Sequence, residues 1–224
     1  VPFVSKATGV QLAKVATRCM AGVSLAEQGI TEERKPHYFA VKEAVFPFVK
    51  FPGVDTVLGP EMKSTGEVMG SGKTFGEAYA KAVIGAGMDL PTGGKALLSV
   101  RELDRGRVVG VARSLAELGF ELFGTHGTTR VLNAAGIACT GVNKVPEGRP
   151  HVVDMIKNEE IDFIVNTTEG KQAIEDSAEI RYAALQNKVA YTTTISGAEA
   201  LCMAMQKRGE TSVSTLRELH QSVS

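Results

Sequence analysis

Tryptophan is absent from the 224 residues, aromatics make up only 6%, and there are three cysteines. Cys19, Cys139 and Cys202 lie far apart with no C-x-x-C spacing, which excludes a disulfide scaffold or a thiolate metal knuckle. Beside small and apolar neighbours they read as buried thiols of a reducing compartment. Net charge is lacking too: 25 Lys+Arg face 25 Asp+Glu. The basic field that nucleic acid or an anionic membrane selects is therefore missing. No run approaches the ~18 consecutive apolar residues of a membrane span, and the N-terminus lacks the basic-then-apolar order of a signal peptide. The expectation is a cytoplasmic protein that binds neither nucleic acid nor membrane.

What is present is 43% hydrophobic residues, enough to fill the core of one large domain or two small ones. Val1 to Val4 is strand-like, as in a chain cut from something larger. Thr8 with Gln11 and Ser24 with Glu27 fit the capping-box spacing, so helices are expected to start at both places and end at Gly22 and Gly29. Tyr38 to Phe46 alternates as a strand, with Glu43 the odd member of an otherwise apolar face. Phe46 to Gly72, rich in Gly and Pro, reads as a long ordered loop. Thr74 with Glu77 opens another capped helix. The Gly/Pro-dense stretch Gly85 to Gly94 is the best domain boundary, giving domains 1–93 and 94–224.

After Gly94, strands and helices alternate. Strands are expected near 96–100, 120–123, 142, 163–165 and 189–191, with helices at 108–118, 129–135, 152–157, 172–185 and 198–205. This is the pattern of an α/β fold, a Rossmann-like parallel sheet with helices on both faces. Ligands of such sheets bind beyond the carboxyl ends of the strands. Gly124 to Thr129 follows one strand and offers glycines, hydroxyls and a helix start, an anion cradle. Asn166 to Lys171 repeats that chemistry after the strand at 163–165, and Lys144 and Arg105 add cations. Gly–Thr turns also simply cap helices, so both readings stand. His126 is a general acid/base candidate without a positioned partner and reads rather as a hydrogen-bonding prop. Arg149 to His151 is either a phosphate clamp or a solvated loop. No cluster has metal-ligand spacing.

Several stretches carry a resemblance: Val1 to Val10 (VPFVSKATGV), Lys50 to Asp55 (KFPGVD), Leu58 to Gly70 (LGPEMKSTGEVMG) and Thr125 to Thr128 with Asn143 to Val145. Glu147 to His151, Asn166 to Thr168 and Ala173 to Ser177 extend it. Together they resemble the C-terminal end of the large subunit of the carbamoyl phosphate synthetase family, over essentially the whole chain. The resemblance implies that residues 1–93 are an α+β remnant of the second ATP-grasp unit and residues 94–224 a methylglyoxal-synthase-like allosteric domain. The full subunit would form carbamoyl phosphate from ATP for arginine and pyrimidine biosynthesis, using Mg or Mn and K, with a small glutaminase subunit as partner and an oligomeric assembly. The family's metal-binding Glu-x-Asn-Pro-Arg motif stands before the point where this chain begins. No cofactor is therefore expected here and the fragment alone should be inactive.

The resemblance also implies effectors. Arg105, Thr125, Thr128, Lys144, Asn166, Thr168, Lys171 and Ser177 match positions around a nucleoside monophosphate, UMP or IMP. Arg105 stands where the bacterial pattern has Lys, and Lys171 where it has Arg, which leaves the preferred nucleotide open. Glu43, Tyr191 and Thr193 match an ornithine site whose remaining acidic partners would precede Val1, so affinity should be weak. Two rivals share the fold: a free-standing methylglyoxal-synthase-like lyase and an oligomerisation module without ligand. Against the lyase, Gly148-Arg149-Pro150 stands where the lyase has a Gly-Gly-Asp base, and arginine cannot abstract a proton at neutral pH.

Overall fold

The computed structural model describes residues 1–50, 61–169, 177–209, 212–221 and 223. Five strands form a parallel sheet: β3 (Gly94–Ser99), β4 (Phe120–Thr125), β5 (Thr140–Val142), β6 (Phe163–Asn166) and β7 (Ala190–Thr192), in the order β5-β4-β3-β6-β7. The central strands β3, β4 and β6 are largely apolar on both faces because helices cover both. Ala96, Leu98, Phe120, Leu122, Phe163 and Val165 point to one side. There they meet α4 (Arg105–Glu117), α5 (His126–Ala134) and α8 (Ile195–Gln206) through Val108, Leu115, Leu132 and Leu201. Leu97, Phe123 and Ile164 face the other side, against α6 (Val152–Lys157) and α7 (Ala178–Gln186). The expected doubly covered parallel sheet is thus found.

A second, two-stranded antiparallel sheet joins β1 (Phe39–Val45) to β2 (Gly66–Gly72). Across it lies α3 (Phe75–Gly85), whose Ala80 and Val83 also enter the core beside Leu201 and Cys202 of α8. Thr74 caps α3 as its spacing foretold, accepting from Glu77 N–H at 3.2 Å. The carboxylate of Glu77 reaches one residue further back than the motif implies, to the N–H of Lys73 at 2.9 Å.

Four expectations of secondary structure fail. Val1 to Val4 is not strand: Pro2 occupies the first turn of α1 (Pro2–Thr8), where its missing N–H costs nothing, and Gly9 at φ 72° ends that helix. Thr8 therefore closes a helix instead of opening one, and α2 (Leu12–Met20) starts after Gln11 with no side-chain cap. Ser24 and Glu27 do exchange capping-box bonds at 2.8 and 3.2 Å, but they stabilise only a turn. The loop expected up to Gly72 ends in β2, and its residues 51–60 lie outside the described ones. A last helix, α9 (Leu216–Gln221), went unforeseen although Thr215 and Glu218 cap it reciprocally at 3.2 and 2.7 Å. Among the described residues no helix is long and apolar enough to cross a membrane.

The cysteines divide. Cys139 and Cys202 are buried, but Cys19, on a helix with no buried residue, is exposed and corrects the expectation of three buried thiols. Burial pushes the Cys202 thiol up to about 12 and raises Cys139 as well. Iodoacetamide at pH 8 should therefore alkylate Cys19 alone in the native protein and all three after denaturation, by mass spectrometry. Native labelling of Cys202 would show that α8 opens readily from the core.

Candidate functional site

The parallel sheet reverses its winding beside β3: the chain leaves β3 for β4 and β5, then returns to lay β6 on the opposite edge. Loops leaving β3 and β6 thus diverge, and the crevice between them is where such folds hold ligands. A cavity of about 330 Å³ occupies that place. Ser99, Val100 and Arg101 line it from β3, Asn166 to Glu169 from β6, and Lys144 to Pro146 from the segment after β5, with Ser177 and Ile180 closing the side.

Asn166, Lys144, Thr168 and Ser177, four residues singled out by sequence, share this cavity. Asn166 ends β6 and is 2% exposed. Neither its carboxamide oxygen nor its nitrogen has a partner among the described residues, and a buried amide of that kind costs roughly 1–3 kcal/mol unless something in the cavity pairs with it. Lys144 stands exposed on the rim, held there by its backbone N–H, which donates to Glu147 at 2.7 Å.

Thr125 and Thr128 lie elsewhere. Both are buried at the β4–α5 junction, 3.5 Å apart at their hydroxyls, and Thr128 accepts from the N–H of Val100 at 3.3 Å. They brace β3 against β4 behind the cavity. Arg105 opens α4 with its guanidinium laid on Gly127, where a Cβ would stand 2.6 Å from it, and pairs with Glu102 at 3.4 Å. Lys171 lies outside the described residues. Glu43 sits half-buried on β1, where desolvation raises its carboxyl above the usual range and its charge bears on Tyr79. Tyr191 and Thr193 lie at the carboxyl end of β7, the first partly buried and the second exposed.

Sequence reasoning missed Arg101 and Asp104. Asp104 is 6% exposed and takes the Nε–H of Arg101 at 2.8 Å. Burial alone would raise its carboxyl. Hydrogen bonds from Arg101 and Thr167 and the charges of Arg101 and Arg107 outweigh that and hold it below the carboxylate range. Arg101 also reaches across the mouth to Glu169 at 3.9 Å.

His126, the acid/base candidate, is exposed, with Nε2 3.2 Å from Asn143 Oδ1 and 3.8 Å from Glu147. It does not line the cavity. His151 is no phosphate clamp: it is buried and caps α6, its Nδ1 accepting from Asp154 N–H at 3.3 Å while its own N–H donates back at 3.0 Å. The described lining of the cavity thus offers the cations Arg101 and Lys144, the carboxylates Glu102 and Glu169, several hydroxyls and the unpaired amide of Asn166.

The MGS-like domain model matches residues 107–193. The carbamoyl phosphate synthase large chain of Pseudomonas putida is 59% identical over 220 residues, 98% of this chain and 20% of that protein. The large chain of Halomonas eurihalina is 59% identical over an alignment covering 100% of this chain and 21% of that protein. This chain thus spans about a fifth of the length of the relatives it matches. A crystal structure of methylglyoxal synthase from Elizabethkingia anophelis superposes with a TM-score of 0.43 at 16% identity, covering 53% of this chain and 82% of that one. By the sequence matches the chain is a relative, over essentially its whole length, of the C-terminal region of carbamoyl phosphate synthase large chains, with an MGS-like domain match over residues 107–193.

Proposed function

We propose that this chain is a regulatory portion of the carbamoyl phosphate synthase large subunit and that its parallel-sheet module, from about Gly94, binds a nucleoside monophosphate, UMP or IMP. The observation that carries the reading is the cavity at the switch point, with the unpaired buried amide of Asn166 inside it and the Lys144 cation on its rim. Its volume lies in the range of small-ligand sites, about 300–1,000 Å³. Lys144 and Arg101 favour phosphate, and Asn166, Thr168 and Ser177 offer donors and acceptors to the rest of the nucleotide. Thr125 and Thr128 act by holding the β4 side of the cleft, and Arg105 by setting the start of α4.

Residues before Gly94 are read as the end of the second ATP-grasp unit. ATP, Mg or Mn and K belong to the longer subunit, as does the contact with the glutaminase partner, and this stretch alone is not expected to turn over. Glu43, Tyr191 and Thr193 are proposed to contribute to an ornithine site completed by residues outside the chain. A carboxyl whose ordinary acidity is weakened by burial, as Glu43's is, regains it beside an amine.

Titration calorimetry with UMP and IMP tests this. Saturable heat with at least one nucleotide is expected, with affinity falling about 10- to 100-fold in Lys144→Ala, the worth of one charge-assisted hydrogen bond. Absence of heat with both nucleotides would favour the oligomerisation module. Formation of methylglyoxal from dihydroxyacetone phosphate would favour the lyase instead.

A further inference from the structure

We infer that Arg101 is a second phosphate-binding cation of this cleft and that the buried Asp104 is its positioning residue. The inference rests on the nucleotide reading above and assigns two residues that the strand-end chemistry alone did not single out. Three bonds form a closed cycle at the switch point. The backbone N–H of Arg101 donates to the hydroxyl of Thr167 at 3.0 Å, the hydroxyl of Thr167 bonds the carboxylate of Asp104, and that carboxylate receives Arg101 Nε–H at 2.8 Å. The Thr167 N–H in turn donates to Ser99 O at 3.0 Å. The two lips of the cavity, one from β3 and one from β6, are thereby tied together beneath the guanidinium.

The geometry leaves Arg101 able to bind. Asp104 takes only Nε–H, so the terminal N–H groups, the fork that matches a phosphate, stay available. Among the described residues their neighbour is Glu169, at 3.9 Å from Nη1 and with its side chain 56% exposed, a contact too loose and too solvated to compete with a dianion. A long arginine side chain ordinarily loses rotamer freedom on binding; fixed at Nε it has already done so. Lys144 and Asn166 line the same cavity, so a phosphate entering it meets two cations and an unpaired amide.

The test is calorimetry of UMP and IMP with the whole chain as wild type, Arg101→Gln, Asp104→Asn and the double variant, with uridine as a ligand lacking phosphate. Arg101 is solvent-accessible at the rim, and thermal melts verify that each variant folds. Arg101→Gln should weaken the nucleotide about 10- to 100-fold and leave uridine unchanged. Asp104→Asn should weaken it less, about 3- to 10-fold, because the charge persists while its placement is lost. In the Arg101→Gln background the Asp104 change should then have no further effect, which a merely structural carboxylate would not show. Nucleotide affinity undiminished in Arg101→Gln overturns the inference while leaving the nucleotide reading intact. Additive losses overturn the positioning role of Asp104. No heat from the wild type with either nucleotide overturns the reading and the inference with it.

Discussion

Replacing Gly70 with alanine is expected to lower stability by about 3 kcal/mol, seen as a drop in the denaturant midpoint without loss of cooperativity. Gly70 lies in β2 where α3 crosses it. A Cβ there would overlap the carbonyl oxygen of Ala78 and stand 2.6 Å from the nitrogen and 3.0 Å from the Cβ of Ala82. These are atoms of a helix backbone and of fully buried alanines, so no flexible side-chain end can yield. Nor can α3 retreat. On its other side Gly76 lets it close on α8, where a Cβ would come 2.5 Å from the carbonyl oxygen of Met203. The strand must therefore lift from the helix, straining the pairing of Val41 with Gly70. Gly66 in the same strand is the control: a Cβ there meets nothing within 4 Å, and Gly66→Ala should change stability by less than about 0.5 kcal/mol. Equal effects at the two glycines would show that the close approach does not bear load.

That same packing explains what the sequence concealed. β3, β4 and β6 were legible because strands buried on both faces must be apolar at nearly every position, as Ala96 to Leu98 and Phe163 to Val165 are, and Phe120 to Phe123 apart from the exposed Glu121. β2 was not, because Gly66, Gly70 and Gly72 remove the alternation by which a half-buried strand is recognised. Gly70 and Gly72 mark closeness to α3, while Gly66 faces open space. At the N-terminus the valines suggested a strand, whereas Pro2 and Gly9, one preset for a first helical turn and one for the left-handed stop, carried the stronger signal.

The site divides similarly. Asn166 and Lys144 were legible because the strand-end rule needs only the strand and the residues after it. Thr125 and Thr128 have the same local chemistry, and only the three-dimensional structure shows that the Thr128 hydroxyl accepts from the N–H of Val100. Arg101 and Asp104 depend on Thr167, and the Arg101–Thr167 bond joins residues 66 apart in the chain, a partnership no local spacing announces.

The other large effect concerns Glu77. Its Oε1 accepts from the Ser212 hydroxyl at 2.5 Å and from Lys81 Nζ at 2.9 Å, while Oε2 accepts from Lys73 N–H at 2.9 Å. The bonds from Ser212 and Lys81, with the Lys73 N–H adding to them, overcome desolvation and lower the carboxyl from 4.5 to about 2. Glu77 is 7% exposed, so little solvent screening intervenes. The gap between those values corresponds to about 3 kcal/mol of stability at neutral pH. Because the folded-state value is the depressed one, this stabilisation is complete above about pH 4.5 and is lost as pH falls through about 2. Glu77→Gln, which keeps the shape and removes the charge, should thus be about 3 kcal/mol less stable than the wild type at pH 7, by urea denaturation, with the difference shrinking towards zero at pH 2. A difference that holds constant across that range would mean that the amide's altered hydrogen bonding, and not the ionised carboxylate, accounts for the loss. The tether also joins α3 to Ser212 in the segment leading to α9, so the same variant should speed amide exchange from Ser212 to Gln221 more than in β3 or β6. Uniform acceleration would instead mark Glu77 as a support of the whole core.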